Sequence, residues 1–194
     1  MARIEDGTGQ GYAVGVSATN RLLTSSESIP SLAVASATRA DAFVVNTAVA
    51  SATGLITGLV AGTESGVLYV SSTSAFPLSI GGFFASNTGV GVWKLYKDVT
   101  GGTLISGGTA VTPSQLNVSS SKPFTGSAIR ASASGQTVTG GTVVALGYVA
   151  AGFAELPLAG ALILGQAKTI ALTFTPIGAN SDVSANIVCA YLAG

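Results

Sequence analysis

Histidine is missing from these 194 residues. With it go the commonest general base, the commonest metal ligand and every Ser-His or Cys-His nucleophile pair. Charge is nearly as scarce. Eight Lys and Arg and eight Asp and Glu make up 8% of the chain and cancel to a net charge of zero, where roughly 25% charged residues is usual for a soluble globular protein. So few cations cannot build a surface that neutralises phosphates, and no stretch gathers three basic residues, so nucleic acid is not an expected partner. The single cysteine, Cys189, cannot close an internal disulfide. Its place in the alternating run Val183, Ala185, Ile187, Cys189, Tyr191 marks it as a small buried hydrophobe. The amino terminus lacks a basic segment followed by an apolar run, so no secretory signal is read there and cytoplasmic synthesis is expected.

What the chain does contain is apolar. Hydrophobic residues make up 47% of it. With so little charge to solvate a monomer's surface, partners are expected to cover much of that surface, and a homo-oligomer is the simplest such arrangement.

The remaining chemical motifs fail on their essential residues. Glu64, Asp98, Glu155 and Asp182 are the acids of the region after residue 41, widely separated and mostly beside turns, which is poor material for a glycosidase carboxylate pair. Gly160 and Gly165 have phosphate-loop spacing, but Gln166 stands where lysine must follow. Gly7, Gly9 and Gly11 mimic part of a dinucleotide fingerprint with no strand before and no helix after, and Asp6 has no acidic companion at calcium-loop spacing. Asn117-Val118-Ser119 fits a glycosylation sequon that has meaning only in a secretory pathway. No catalytic residue, metal site or cofactor is expected.

Two regions differ in composition. Residues 1–40 hold Arg3, Glu5, Asp6, Arg21, Glu27 and Arg39, six of the sixteen charges. Their glycines and the Ser-rich stretch ending at Pro30 oppose helix, so an extended arm is predicted. Residues 41–194 show short apolar runs parted by glycine pairs and turn residues, the pattern of an all-β, antiparallel sandwich with little helix. Within it Ile170, Leu172 and Phe174 alternate with Thr169, Ala171, Thr173 and Thr175, which predicts a half-buried strand. The run Val92–Tyr96 followed by Asp98 to Thr103 predicts a strand and a hairpin turn at Gly101-Gly102. Val143 to Val149 is apolar on both faces and predicts a strand in mid-sheet, covered on both sides. Pro77, Pro113, Pro123, Pro157 and Pro176 are expected at strand ends. The loop from Ile177 to Asp182 leaves open whether its flanking strands pair or pass to opposite sheets.

A membrane span over Ala42 to Gly62 is the strongest structural rival, being uncharged with Gly54, Gly58 and Gly62 at helix-packing spacing. Asn46, Thr47, Ser51, Thr53 and Thr57 dilute it, and no Lys or Arg cluster flanks it, so no membrane partner is expected.

Ile4-Glu5-Asp6-Gly7-Thr8-Gly9 followed by Ser17-Ala18-Thr19-Asn20-Arg21-Leu22 resembles an opening found in tailed-phage virion proteins. Lys97 to Thr103 with Ser106 to Pro113, and the closing stretches Leu162 to Pro176 and Ser184 to Leu192, look like the body of a family of small phage structural proteins. Leu164 to Lys168 keeps the family's glycine there but not its proline. The resemblance implies a jelly-roll-like sandwich and a place in the virion, assembled in the host cytoplasm. It also implies partners among the major capsid protein or other virion proteins, with a trimer as the favoured oligomer. Ile4, Glu5, Asp6, Gly7, Gly9, Gly11, Arg21 and Leu22 are the expected assembly-arm residues. A capsid decoration or cementing role is the first expectation. The second is a fibre-tip protein binding a host glycan, for which Trp93, Tyr96, Tyr12, Tyr69, Tyr148 and Tyr191 are the available aromatic platforms.

Overall fold

Side chains that alternate with a period of two make this chain into strands, and the face each strand buries decides how they stack. A computed structural model describes residues 41–48 and 54–192. In chain order the elements are β1 (Ala42–Asn46), β2 (Ile56–Leu59), β3 (Ser65–Ser72), β4 (Leu78–Asn87), β5 (Gly91–Gly101), α1 (Thr103–Gly107), β6 (Thr109–Ala110), β7 (Ser114–Gln115), β8 (Gly126–Arg130), β9 (Thr139–Val149), β10 (Gly152–Leu164), β11 (Thr169–Pro176) and β12 (Ser181–Tyr191). They form two antiparallel sheets packed as a β-sandwich. One sheet has the order β10-β4-β12-β1-β7, with β2 also on β12, and the other β6-β8-β3-β11-β5-β9.

The long strands pair in a nested way: β1 with β12, β3 with β11, β4 with β10 and β5 with β9. The first half of the chain thus runs out and the second half runs back beside it, strand against strand, while the double ribbon alternates between the two sheets. The loop from Ile177 to Asp182 carries the chain from β11 in one sheet to β12 in the other. The stretch Ala42 to Gly62 contributes β1 and β2 to the first sheet and is not one continuous helix.

The core lies between the sheets. Phe43, Leu68, Trp93, Leu95, Leu172, Phe174 and Ile187 are almost completely shielded from solvent. The Trp93 ring packs 4.7 Å from Phe174 and 6.3 Å from Phe83, and its indole N–H donates to Asn87 Oδ1 at 3.3 Å, so the polar end of the largest side chain is satisfied. Gly91 makes this packing possible. A Cβ there would stand 2.2 Å from the Phe174 ring, far inside contact distance.

Four sequence expectations need correction. The β11 strand is not half-buried. It lies between β3 and β5, and its outer residues Ala171 and Thr173 are as inaccessible as Ile170, Leu172 and Phe174. Tyr69 and Tyr96 stand in register on either side of Ala171, so large neighbours flank a small residue. Val143 to Val149 is not mid-sheet either. Its strand, β9, ends its sheet, paired with β5 alone among the described strands, and most of it is exposed. No hairpin forms at Gly101-Gly102; β5 hands over to α1 instead. Gly102 adopts φ 121°, and a Cβ there would meet Thr137 O at 2.3 Å, so close approach to a remote strand entry decides this turn. Pro157 sits inside β10, at a register shift on a sheet edge, where its missing amide breaks no ladder bond that a central strand would need.

Candidate assembly surface

The two longest exposed strands, β9 and β10, follow one another through Ala150 and Ala151 and form one flank of the sandwich, each as the last strand of its own sheet. Asn87 pins the connection: its Nδ2 donates to Ala150 O at 2.8 Å and to Gly89 O at 2.7 Å. The inward residues Ala145, Val149, Ala154, Leu156, Leu158 and Leu162 pack partly on the core. The sheets part there, leaving a small cavity of about 90 Å³ between β9 and β10, floored by Phe83 and Trp93.

The outward residues are apolar as well. Leu146 is 57% exposed, Tyr148 76% and Phe153 69%, with Val143, Val144 and Ile163 also at the surface. Phe153 stacks on Phe84 at 6.2 Å. Across both strands Glu155 is the only charged residue. Edge strands usually carry lysine, proline or a bulge that stops another strand from adding to them. β9 has irregular register near Gly140 and between Leu95 and Tyr96 of its partner, but Leu146 to Val149 offers neither charge nor proline. The sequence signal for this surface was in plain view as two-faced apolarity, but that signal also describes a buried strand.

Elsewhere the carboxylates Glu64, Asp98 and Asp182 each have partners. Glu64 accepts from Lys94 Nζ at 2.5 Å, Thr173 Oγ1 at 2.6 Å and Tyr96 Oη at 2.8 Å. Burial pushes its carboxyl up, but the bonds from Lys94, Thr173 and Tyr96 outweigh it and hold Glu64 below the usual carboxylate range. The same contacts raise Lys94, chiefly through its bond to Glu64, while burial and then Glu64 raise the Tyr96 phenol. A carboxylate so held is an acceptor at neutral pH, not a proton donor. Asp98 pairs with Lys168 at 3.0 Å, and Asp182 accepts from the Gly58 amide at 2.8 Å, so these acids serve separate structural tasks. Among the described residues no three of Cys, Asp and Glu gather as a metal site, and no helix is long and apolar enough to cross a membrane.

Cys189 is fully buried, its Sγ 3.8 Å from Phe43 O, and burial pushes the thiol up to about 12. Of the aromatic candidates, Trp93, Tyr69 and Tyr191 are buried, Tyr96 is tied to Glu64 and Tyr148 alone is broadly exposed; Tyr12 lies outside the described residues. The expected assembly-arm residues Ile4, Glu5, Asp6, Gly7, Gly9, Gly11, Arg21 and Leu22 also lie outside them. The chain matches no protein-family model, no curated protein and no solved structure.

Proposed function

We propose that this chain is a non-enzymatic structural subunit of a tailed-bacteriophage particle, a decoration or cementing protein that joins the head through its arm and through contacts between copies. The β9–β10 flank, with Glu155 as its single charge, carries the assembly half of this reading. A protein with Leu146, Tyr148 and Phe153 exposed on adjoining strands, and one charge in both strands, gains by covering that flank with a partner. The phage half rests on the sequence resemblance. The nested pairing of β1 with β12, β3 with β11, β4 with β10 and β5 with β9 supports a jelly-roll-like body, in which a double ribbon wraps across two sheets.

The partners on this reading are the major capsid protein and further copies of this chain, a trimer being the order favoured by analogy with phage decorations. Counting copies by mass spectrometry of purified particles tests the role: hundreds per particle fit decoration, a dozen or fewer fit a fibre or vertex, and none removes the virion assignment. Sedimentation of the isolated chain, with and without chelator, tests the rest. A metal-independent oligomer is expected, and a monomer at micromolar concentration overturns self-association in isolation.

A further inference from the structure

Opposite the β9–β10 flank, the sandwich opens in a second place, where β7 and β6 end their respective sheets. The cleft there measures about 600 Å³, and its walls include Val111, Pro113, Pro123, Phe124, Ala128 and Ile129. Its rim is built, not loose. Phe124 meets Phe43 edge-on at 5.4 Å. Tyr191 Oη both donates to Thr125 O at 2.7 Å and accepts from the Thr125 amide at 3.0 Å, and Gln115 Nε2 donates to Lys122 O at 3.0 Å. Lys122 is the one charged residue of the lining, and its ammonium is paired with the Asp41 carboxylate.

Asp41 is also where the preceding chain joins the sandwich. In β1, Phe43 faces Gln115 and Val44 faces Ser114, and the Leu116 amide donates to Ala42 O at 3.0 Å. The N-terminal end of β1, at Asp41, therefore points toward the 118–124 side of the cleft. Composition matches. Residues 28–38 carry no charge and include Ile29, Leu32 and Val34, whereas residues 1–27 carry Arg3, Glu5, Asp6, Arg21 and Glu27. At about 3.3 Å per extended residue, roughly ten residues span about 33 Å, ample to cross the cleft.

We propose that residues 29–38 fill this cleft in the same molecule. Leu32 and Val34 sit against the Phe124–Ile129 wall, and the Asp41–Lys122 pair fixes the entry. The placement of residues 29–38 concerns the isolated chain and does not depend on a virion role.

Two measurements on the full-length chain test it. Pairing Ser127→Cys in turn with Leu32→Cys, Ala33→Cys, Val34→Cys and Ala35→Cys under mild oxidation is expected to give at least one intramolecular disulfide, seen as a faster-migrating monomer on a non-reducing gel. Buried Cys189 does not compete. Disulfide-linked dimers alone would move the segment to a second copy and overturn the proposal, as would no cross-link in any pairing. In the second measurement, the double variant Leu32→Asp, Val34→Asp is expected to speed amide hydrogen exchange over residues 120–129 by about tenfold or more while leaving β4 and β12 unchanged. Unchanged exchange over 120–129 overturns the proposal. If that variant fails to fold, the cysteine pairs decide alone.

Discussion

Strands β11 and β9 belong to one sheet, separated only by β5, yet each occupies the environment that its sequence predicted for the other. β11, with threonines on its outer face, is buried on both sides; β9, apolar on both faces, is an exposed edge. The contrast shows what alternation can report. It identifies the face that meets the core, but the cover on the other face depends on neighbouring strands. In β11 that cover comes from Tyr69 and Tyr96 flanking Ala171 in register, and from Glu64 accepting the Thr173 hydroxyl. In β9 no described residue supplies the corresponding cover.

The contrast is broken most sharply at Phe174. Its ring is fully buried against Trp93, so Phe174→Ala is expected to cost about 3–5 kcal/mol in denaturant unfolding, whereas Leu146→Ala on β9 changes the isolated chain far less. Comparable losses at the two positions would mean β9 is already covered. Next comes Thr173→Ala. A solvent-facing threonine would be nearly silent, but Thr173 is 1% exposed and donates to Glu64, so a loss of about 1–2 kcal/mol is expected. Thr173→Ser, which keeps the hydroxyl, should recover part of it; a silent Thr173→Ala would restore the half-buried strand.

A smaller effect should appear in acid. Glu64 is held below the ordinary carboxylate value of 4.5, so its contribution is complete above the unfolded-state pKa and is lost as pH falls through the folded-state value. With its side chain a third exposed, the contribution is screened to below about 1 kcal/mol. Glu64→Gln should therefore flatten the acid limb of the stability profile between about pH 5 and the folded-state pKa, with little change in the slope above pH 6. An acid limb identical to that of the parent chain would show that the Lys94–Glu64 contacts contribute nothing net. The smallest change in folding is expected on the flank itself. Leu146→Lys with Tyr148→Glu should alter the stability of the isolated fold by about 0.5 kcal/mol or less, yet abolish self-association in sedimentation. Full retention of the oligomer would move the contact away from β9.

The proposed arm and the described sandwich give a second comparison. On the proposed virion role, deleting residues 1–40 is expected to abolish attachment to the particle and leave the sandwich folded, because Ala42–Tyr191 already holds the described strands and the core between them. If residues 29–38 fill the cleft by Phe124 as proposed, stability should also fall modestly. Global unfolding of the truncated chain would make the arm part of the fold.

Local information sufficed for a good deal. Period-two runs identified β5, β11 and β12 as strands, and turn chemistry separated β11 from β12. The burial of Cys189 was legible because its neighbours at i−2 and i+2 are apolar. Tertiary structure alone decided which strand lies beside which. Glu64 and Thr173 meet across 109 positions, and Asp41 and Lys122 across 81. The same holds for Gly102, whose conformation answers to Thr137. The physical reason is that a side chain's alternation is set by its own backbone, whereas sheet order and edge position are set by pairings between distant segments, whose partners no local window contains.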